Sequence, residues 1–211
     1  MIGFYNYTVF PTYLGFACGM LGLFFALRGR PLAAVFCLMA AGVLDMFDGK
    51  IAKTRERTDQ EKKFGIQIDS LSDFVCFGVL PAAIGYAVGM KRLPYVLVLI
   101  VFSLAALIRL AYFNVMEEER QAHTTETRKE YEGLPVTTVA LIIPFLYIFR
   151  GVLVRHFGDG AFVLLYALAL VWLAALFLMK FKIKKPGLKV MLIFTAVGLT
   201  EMLLLIPFGM R

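Results

Sequence analysis

Long apolar stretches alternate with short polar segments along the whole chain. Seven stretches have the composition of membrane spans, and most reach spanning length once a polar end is allowed: residues 8–27, 31–44, 74–90, 93–108, 133–149, 160–179 and 190–210. Because a helix needs about 20 mostly apolar residues to cross a bilayer, the pattern predicts an all-α, polytopic transmembrane bundle of about seven spans, within a range of about six to eight. We expect residues 1–211 to form a single integral membrane domain, in which the third helix begins near Gly65 and the fourth ends near Asn114.

Composition and charge agree with a membrane protein and suggest its orientation. Hydrophobic residues make up 60% of the chain, which excludes an ordinary soluble domain. With the amino terminus inside, the predicted loops place fourteen Lys and Arg residues on that side and seven on the other. This excess predicts that the first side is cytoplasmic. The lipid bilayer is the expected partner of the basic loops, and we expect no nucleic-acid partner.

Four aspartates interrupt the second and third apolar regions. Asp45 and Asp48 are spaced i, i+3, and Asp69 and Asp73 are spaced i, i+4, so each pair lies on one helical stripe. Each ionised carboxylate near a bilayer centre costs roughly 2.5–3.5 kcal/mol, so the set needs compensation. Two facing antiparallel helices would bring the four carboxylates together. The spacing therefore predicts a site for divalent cations, which prefer oxygen ligands and leave positions for substrate phosphates.

Small and basic residues accompany these carboxylates. Gly49 and Gly65 have no side chains, so a bulky headgroup could approach the backbone there. Cations suited to a diphosphate lie in the same stretch: Lys50, Lys53, Arg55, Lys62 and Lys63. Carboxylates for metal, cations for phosphate and small residues for access together indicate phosphoryl transfer.

These residues resemble the signature of the CDP-alcohol phosphatidyltransferase family. The matching positions are Asp45, Asp48, Gly49, Ala52, Gly65, Asp69 and Asp73. Two departures stand out: Lys53 replaces an arginine, and eleven residues separate it from Gly65 where the family has about eight. Lysine keeps the charge but loses the bidentate grip on phosphate, and Arg55 is a candidate to replace it.

Within the family, residues 64–81, 109–114 and 131–135 are most similar to the branch that uses serine as acceptor. The resemblance implies transfer of a phosphatidyl group from CDP-diacylglycerol to the hydroxyl of L-serine, with phosphatidylserine and CMP as products. It also implies a two-metal site for Mg²⁺ or Mn²⁺, a catalytic domain with its motif core at residues 31–116, a homodimer and a prokaryotic cell membrane. The distribution of basic residues predicts that the active site faces the cytoplasm.

The resemblance also implies roles for individual residues. Asp45, Asp48 and Asp69 would be metal ligands, and Asp73 would be a further ligand or the general base. The CDP-diacylglycerol site would include Gly49, Ala52, Lys53, Arg55 and Gly65.

Arg109 and Asn114 are candidates to orient serine. Arg109 is a positive charge near the end of an apolar stretch, which is costly unless it is paired. It could bind the serine carboxylate bidentately. The alternatives are that Arg109 pairs with an aspartate of the cluster or extends to the membrane interface.

Other functions fit parts of the same pattern. The same chemistry could use another acceptor, such as glycerol phosphate or inositol phosphate, or an archaeal ether-lipid donor. A divalent-cation or proton-coupled transporter would also carry intramembrane carboxylates. It would not explain Gly49, Gly65 and the basic residues near them.

Overall fold

A computed structural model describes residues 3–123, 130–184 and 188–209. The described part is dominated by helices: α1 Phe10–Leu27, α2 Pro31–Ile51, α3 Asp59–Asp73, α4 Leu80–Ala87, α5 Leu93–His123, α6 Val139–Ile148, α7 Arg150–Phe157, α8 Asp159–Leu178 and α9 Leu188–Gly209. A π-helical segment, Phe74–Val79, joins α3 to α4, and 3-10 turns lie at Tyr7–Val9, Ala52–Thr54 and Val136–Thr138. Two short strands, β1 Glu130–Glu132 and β2 Lys182–Lys184, pair antiparallel.

The predicted fold class, a polytopic helical bundle, is confirmed. Within the described residues, five continuous stretches are long and apolar enough to cross a membrane: Tyr7–Leu27, Pro31–Ile51, Asp59–Ala87, Leu93–Arg120 and Asp159–Leu178. A sixth is a bent pair, Val136–Ile148 and Arg150–Phe157, whose axes differ by 43°. The seventh predicted stretch lies in α9, and the part of it whose side chains are described forms a shorter apolar helix, Ile193–Leu205. Among the described residues the count is therefore five, or six if the bent pair is one span, and six is the lower end of the expected range.

Large side chains from α4, α5 and α8 form the centre of the bundle. Phe102 and Phe177 are buried with ring centroids 5.8 Å apart. Tyr166 is fully buried, and its hydroxyl donates to the Pro81 carbonyl oxygen at 2.9 Å, so its polar atom is satisfied inside the apolar core. Apolar side chains such as Trp172 are exposed on the outside, as expected for a lipid-facing surface.

Small residues allow the helices to approach closely. A Cβ added at Gly42 would lie 2.5 Å from the Ala140 Cβ, and one added at Gly19 would lie 2.5 Å from the Cys76 sulfur. Such contacts leave no room for a side chain, as is common where membrane helices cross. The close packing fixes α2 against α6, and α1 against the π-helical segment.

The connection between α2 and α3 differs from the expectation. We predicted a third helix that begins near Gly65, but α3 begins at Asp59. The Thr58 hydroxyl accepts the Glu61 backbone N–H, and the Glu61 carboxylate accepts the Thr58 backbone N–H. This capping box satisfies two otherwise unpaired donors, so the helix starts at its cap rather than at the first apolar residue.

The end of the fourth predicted helix also differs. We expected it to end near Asn114, yet α5 continues to His123. Arg120 forms a bidentate ion pair with Glu117 one turn earlier, which supports the added turns.

Beyond α5, the pairing of β1 with β2 joins the loop before α6 to the loop after α8. Both loops therefore lie at the same end of the bundle.

Candidate functional site

The four aspartates meet at one place between α2 and α3. Carboxylate oxygens of Asp45, Asp48 and Asp69 all lie within 4.8 Å of one another. Asp73 lies one turn further along α3, and its carboxyl neighbours that of Asp45. All four half-buried side chains line a single cavity of about 10 Å³, which we call the aspartate cavity. The structure therefore brings together the four residues that the helical spacing singled out.

The aspartate cavity fits a divalent cation. Oxygens that share one Mg²⁺ lie about 2–2.1 Å from it, so opposite ligands are roughly 4 Å apart. The three carboxylate oxygens, which all lie within 4.8 Å of one another, are near enough to share one ion. The cavity volume of about 10 Å³ corresponds to one water-sized space. Carboxylate oxygens are also the ligands that such ions prefer. The donor set and its spacing therefore suit Mg²⁺ or Mn²⁺.

Helix α1 provides a wall of the aspartate cavity that the sequence analysis did not identify. Pro11, Thr12 and Gly15 line it. The Ser72 hydroxyl donates to the Thr12 carbonyl oxygen at 3.4 Å, and the Cys76 thiol donates to the Gly15 carbonyl oxygen at 3.4 Å. A polar residue followed by recurring glycines in an apolar span was the available signal, since small residues mark close helix contacts.

The backbone changes its hydrogen-bond pattern directly after Asp73. The π-helical segment Phe74–Val79 begins there, and Pro81 cannot donate a backbone hydrogen bond to the preceding turn. Ser103 on α5 donates to the Gly78 carbonyl oxygen at 3.0 Å. Because π-helical turns often occur at functional sites, this segment is consistent with a constraint on how Asp73 is presented.

A wide basic depression lies in the connection between α2 and α3. Its volume is about 450 Å³, and it is lined by Ala52, Arg55, Glu56, Arg57 and Lys62. Arg55 is exposed, and its guanidinium lies 3.8 Å from the Glu61 carboxylate. The depression is large and open enough for a charged headgroup.

The residues predicted to bind CDP-diacylglycerol surround these two features. Gly49 is exposed, and no atom lies within 4 Å of an added Cβ. A Cβ at Gly65 would lie 3.2 Å from an Arg57 guanidinium nitrogen. Ala52 lines the depression. The side chain of Lys53 lies outside the described part of the structure.

The amino-terminal segment crosses the same connection. Asn6 donates to the Glu61 carboxylate at 3.1 Å, and the Tyr7 hydroxyl shares a hydrogen bond with Thr54 at 3.0 Å. The rings of Phe4 and Phe64 meet edge to face, with centroids 5.5 Å apart. These contacts tie the turn at Thr54 and the start of α3 to the segment before α1.

Asn114 and Arg109 occupy different environments on α5. The Asn114 side-chain oxygen accepts a hydrogen bond from the Ser70 hydroxyl at 2.8 Å. Ser70 directly follows Asp69 in the sequence, so Asn114 contacts α3 next to the aspartate cavity. Arg109 is only 6% exposed, its Nε donates to the Leu134 carbonyl oxygen at 3.3 Å, and its guanidinium lies 5.8 Å from the Phe113 ring centroid. This burial argues against extension of Arg109 to the interface. The described lining of the aspartate cavity includes neither residue.

Comparison with known proteins identifies one matching family and relatives that share one name. The family model for CDP-alcohol phosphatidyltransferase matches residues 8–179. Three relatives are named CDP-diacylglycerol–serine O-phosphatidyltransferase. The protein from Saccharomyces cerevisiae is 36% identical over 161 residues, which are 74% of this chain and 57% of the relative. The protein from Mycobacterium leprae is 32% identical over 151 residues, which are 71% of this chain and 47% of the relative. The protein from Helicobacter pylori is 30% identical over 149 residues, which are 67% of this chain and 56% of the relative.

The chain spans about half the length of these curated relatives. The family match is broader: it covers the helices that carry all four aspartates and extends to the end of α8. The resemblance drawn from the aspartate spacing is thereby confirmed. Because this match includes well over half of the 211 residues, the chain belongs to the CDP-alcohol phosphatidyltransferase family.

Proposed function

We propose that this protein transfers the phosphatidyl group of CDP-diacylglycerol to the hydroxyl of L-serine. The products would be phosphatidylserine and CMP. The observation that carries the proposal is the convergence of four carboxylates from α2 and α3 in one cavity, close to an open basic depression. The relatives named for this reaction support serine as the acceptor.

Three of the four aspartates are proposed to hold the cation. Asp45, Asp48 and Asp69 would hold Mg²⁺ or Mn²⁺, because their oxygens already lie within 4.8 Å of one another. The bound ion would neutralise charge on the diphosphate and on the leaving CMP. A two-ion arrangement stays a prediction of the family resemblance.

Asp73 is proposed as the general base rather than as a ligand. It lines the same cavity but does not belong to the group of three converging oxygens. Its carboxylate would accept the proton of the serine hydroxyl while the serine oxygen bonds to the phosphorus that carries diacylglycerol. The bond from that phosphorus to the CMP oxygen would break, and CMP would leave with the electron pair.

The donor headgroup is proposed to lie across Gly49 and the basic depression. Gly49 offers open space beside Asp48, and Arg55 and Arg57 offer charge to the diphosphate. Ala52 and Gly65 would leave room for the cytidine. Lys53 is proposed to contact phosphate, with Arg55 supplying the guanidinium that the family pattern has two positions earlier, where this chain has Lys53.

The acceptor is proposed to lie toward α5. Asn114 is hydrogen-bonded to Ser70, so this part of α5 already contacts α3 next to Asp69. Arg109 would bind the serine carboxylate, since a guanidinium matches the geometry of that group. Its burial would favour a strong interaction, because a partly desolvated pair is weakly screened.

We propose that the whole chain acts as one catalytic domain, that it forms a homodimer, and that it lies in a prokaryotic cell membrane with the site facing the cytoplasm. The family resemblance supports the dimer and the membrane type. The excess of basic residues in the loops at the site end supports the orientation.

A panel of acceptors tests the proposed substrate. Purified protein in detergent with Mn²⁺ or Mg²⁺ and CDP-diacylglycerol is expected to release CMP rapidly with L-serine and slowly with glycerol 3-phosphate, inositol phosphate or water. CMP and the lipid product should appear in equal amounts. Faster release with a phosphorylated acceptor would reassign the acceptor within the family. Metal flux into vesicles without any CMP release would instead indicate a transporter.

A further inference from the structure

A short segment before α6, residues 132–134, contacts α5 next to Arg109. The Leu134 carbonyl oxygen accepts from Arg109 Nε at 3.3 Å, and the Glu132 carboxylate accepts from the Tyr112 hydroxyl at 2.8 Å. Arg109 and Tyr112 are neighbours on one face of α5, three positions apart. The segment therefore contacts two side chains that lie about one helical turn apart on α5.

The same segment is tied to the loop after α8. The Gly133 backbone N–H donates to the Phe181 carbonyl oxygen at 2.7 Å, and β1 pairs with β2 immediately before it. The Lys180 ammonium lies 5.6 Å from the centroid of the Tyr112 ring. Segment 132–134, the loop after α8 and helix α5 are thus connected to one another.

Gly133 makes this arrangement sterically possible. Its φ is +72°, a conformation that residues with side chains rarely adopt. An added Cβ would lie 2.9 Å from the Met179 carbonyl oxygen and 3.4 Å from Arg109 Nε. A side chain here would therefore press on the backbone behind it and on the guanidinium beside it.

We propose that segment 132–134 is a positioning element for Arg109 and thereby sets the affinity of the enzyme for its acceptor. This inference rests on the proposed role of Arg109 in binding serine. The guanidinium is planar, so a hydrogen bond that fixes Nε also fixes the plane in which the terminal nitrogens present their donors. The Phe113 ring, 5.8 Å away, adds a second restraint on that plane. Gly133 permits the close approach that places the Leu134 carbonyl within reach.

Gly133→Ala tests this role. We expect the KM for serine to rise about tenfold to 100-fold, because a small misplacement of a substrate-orienting group has effects of that size. The KM for CDP-diacylglycerol should stay within about twofold, since the donor residues lie on α2 and α3. Gly29→Ala is the matched control: Gly29 also has a positive φ, +67°, but no atom lies within 4 Å of its added Cβ. It should leave both KM values unchanged.

Two further variants keep the test decisive if Gly133→Ala does not fold. Tyr112→Phe removes only the hydroxyl that bonds Glu132, and it should raise the serine KM in the same direction by a smaller factor. Placed in an Arg109→Ala background, it should add no further change, because residues that act through one another are not additive.

The experiment distinguishes failure of the positioning role of segment 132–134 from failure of the proposed transfer to serine. If the unaltered protein shows no serine-dependent CMP release, the proposed function fails. If it does, and Arg109→Ala raises the serine KM while Gly133→Ala and Tyr112→Phe leave it unchanged, the positioning role alone is overturned. Equal increases in both KM values for these two variants would also overturn it, because they would indicate a general structural effect.

Discussion

Asp73→Asn is expected to lower kcat by about 10³-fold, within the range of about 10²–10⁴ that general bases contribute. Asparagine has nearly the same shape and can still form hydrogen bonds, but it cannot accept the proton of the serine hydroxyl. Asp73 lines the aspartate cavity without joining the three oxygens that lie within 4.8 Å of one another. The affinity for CDP-diacylglycerol should therefore be retained. CMP release and direct binding of the lipid nucleotide measure the two quantities separately.

Gln67→Ala is a suitable control for this experiment, because Gln67 is exposed on the same helix. It should leave both turnover and binding unchanged. Turnover close to normal in Asp73→Asn would place the base elsewhere. Parallel loss of turnover and CDP-diacylglycerol binding would instead make Asp73 a ligand that helps hold the donor.

Asp48→Asn is expected to reduce activity by about 10²–10³-fold at a fixed Mg²⁺ concentration, because several kcal/mol of charge stabilisation depend on the ligand set. Asp48 belongs to the group of three converging carboxylates, and its side chain neighbours that of Asp69. Removing one anionic ligand weakens the attraction for the cation while the shape of the site is kept. A titration of CMP release with Mn²⁺ should show a midpoint shifted to higher concentration and partial recovery of rate.

The matched control is Asp159→Asn, since Asp159 is an exposed aspartate in the first turn of α8, at the other end of the bundle. Its metal titration should coincide with that of the unaltered protein. An Asp48→Asn titration that also coincides would remove Asp48 from the cation site.

The aspartate cavity was predictable because each pair of its aspartates is brought onto one helix face by spacing within a short stretch of sequence. The i, i+3 and i, i+4 spacings place Asp45 with Asp48 and Asp69 with Asp73 wherever the two helices form. The start of α3 was also readable, since Thr58 and Glu61 have the spacing of a capping box. The prediction of a start near Gly65 followed the onset of apolar residues and overlooked the cap.

Contacts between distant segments were not predictable in the same way. Asn6 meets Glu61 across 55 positions, and Tyr131 pairs with Ile183 in the two-stranded ribbon. No periodicity within either segment specifies its partner, because strand pairs and loop contacts depend on where the helices place their ends. The positioning segment before α6 therefore became visible only in three dimensions, although residues 131–135 had been noted for their resemblance to the family.

The wall that α1 contributes to the aspartate cavity was only partly predictable from the sequence. Thr12 and Gly15 lie in an apolar stretch whose pattern predicts a helix but not its rotation. The recurring small residues of α1 are typical of a contact face, but they do not specify its partner. The hydrogen bonds from Ser72 and Cys76 to the α1 backbone identify that face as part of the site.

The central claim is that Asp45, Asp48 and Asp69 hold a divalent cation beside Asp73, and that this cation is required for transfer from a nucleotide-linked lipid. Serine-dependent CMP release should be measured on purified protein before and after chelation with EDTA, and again after Mg²⁺ or Mn²⁺ is restored. The account predicts that the rate falls to background on chelation and returns with the ion. An unchanged rate in fully chelated protein would contradict it.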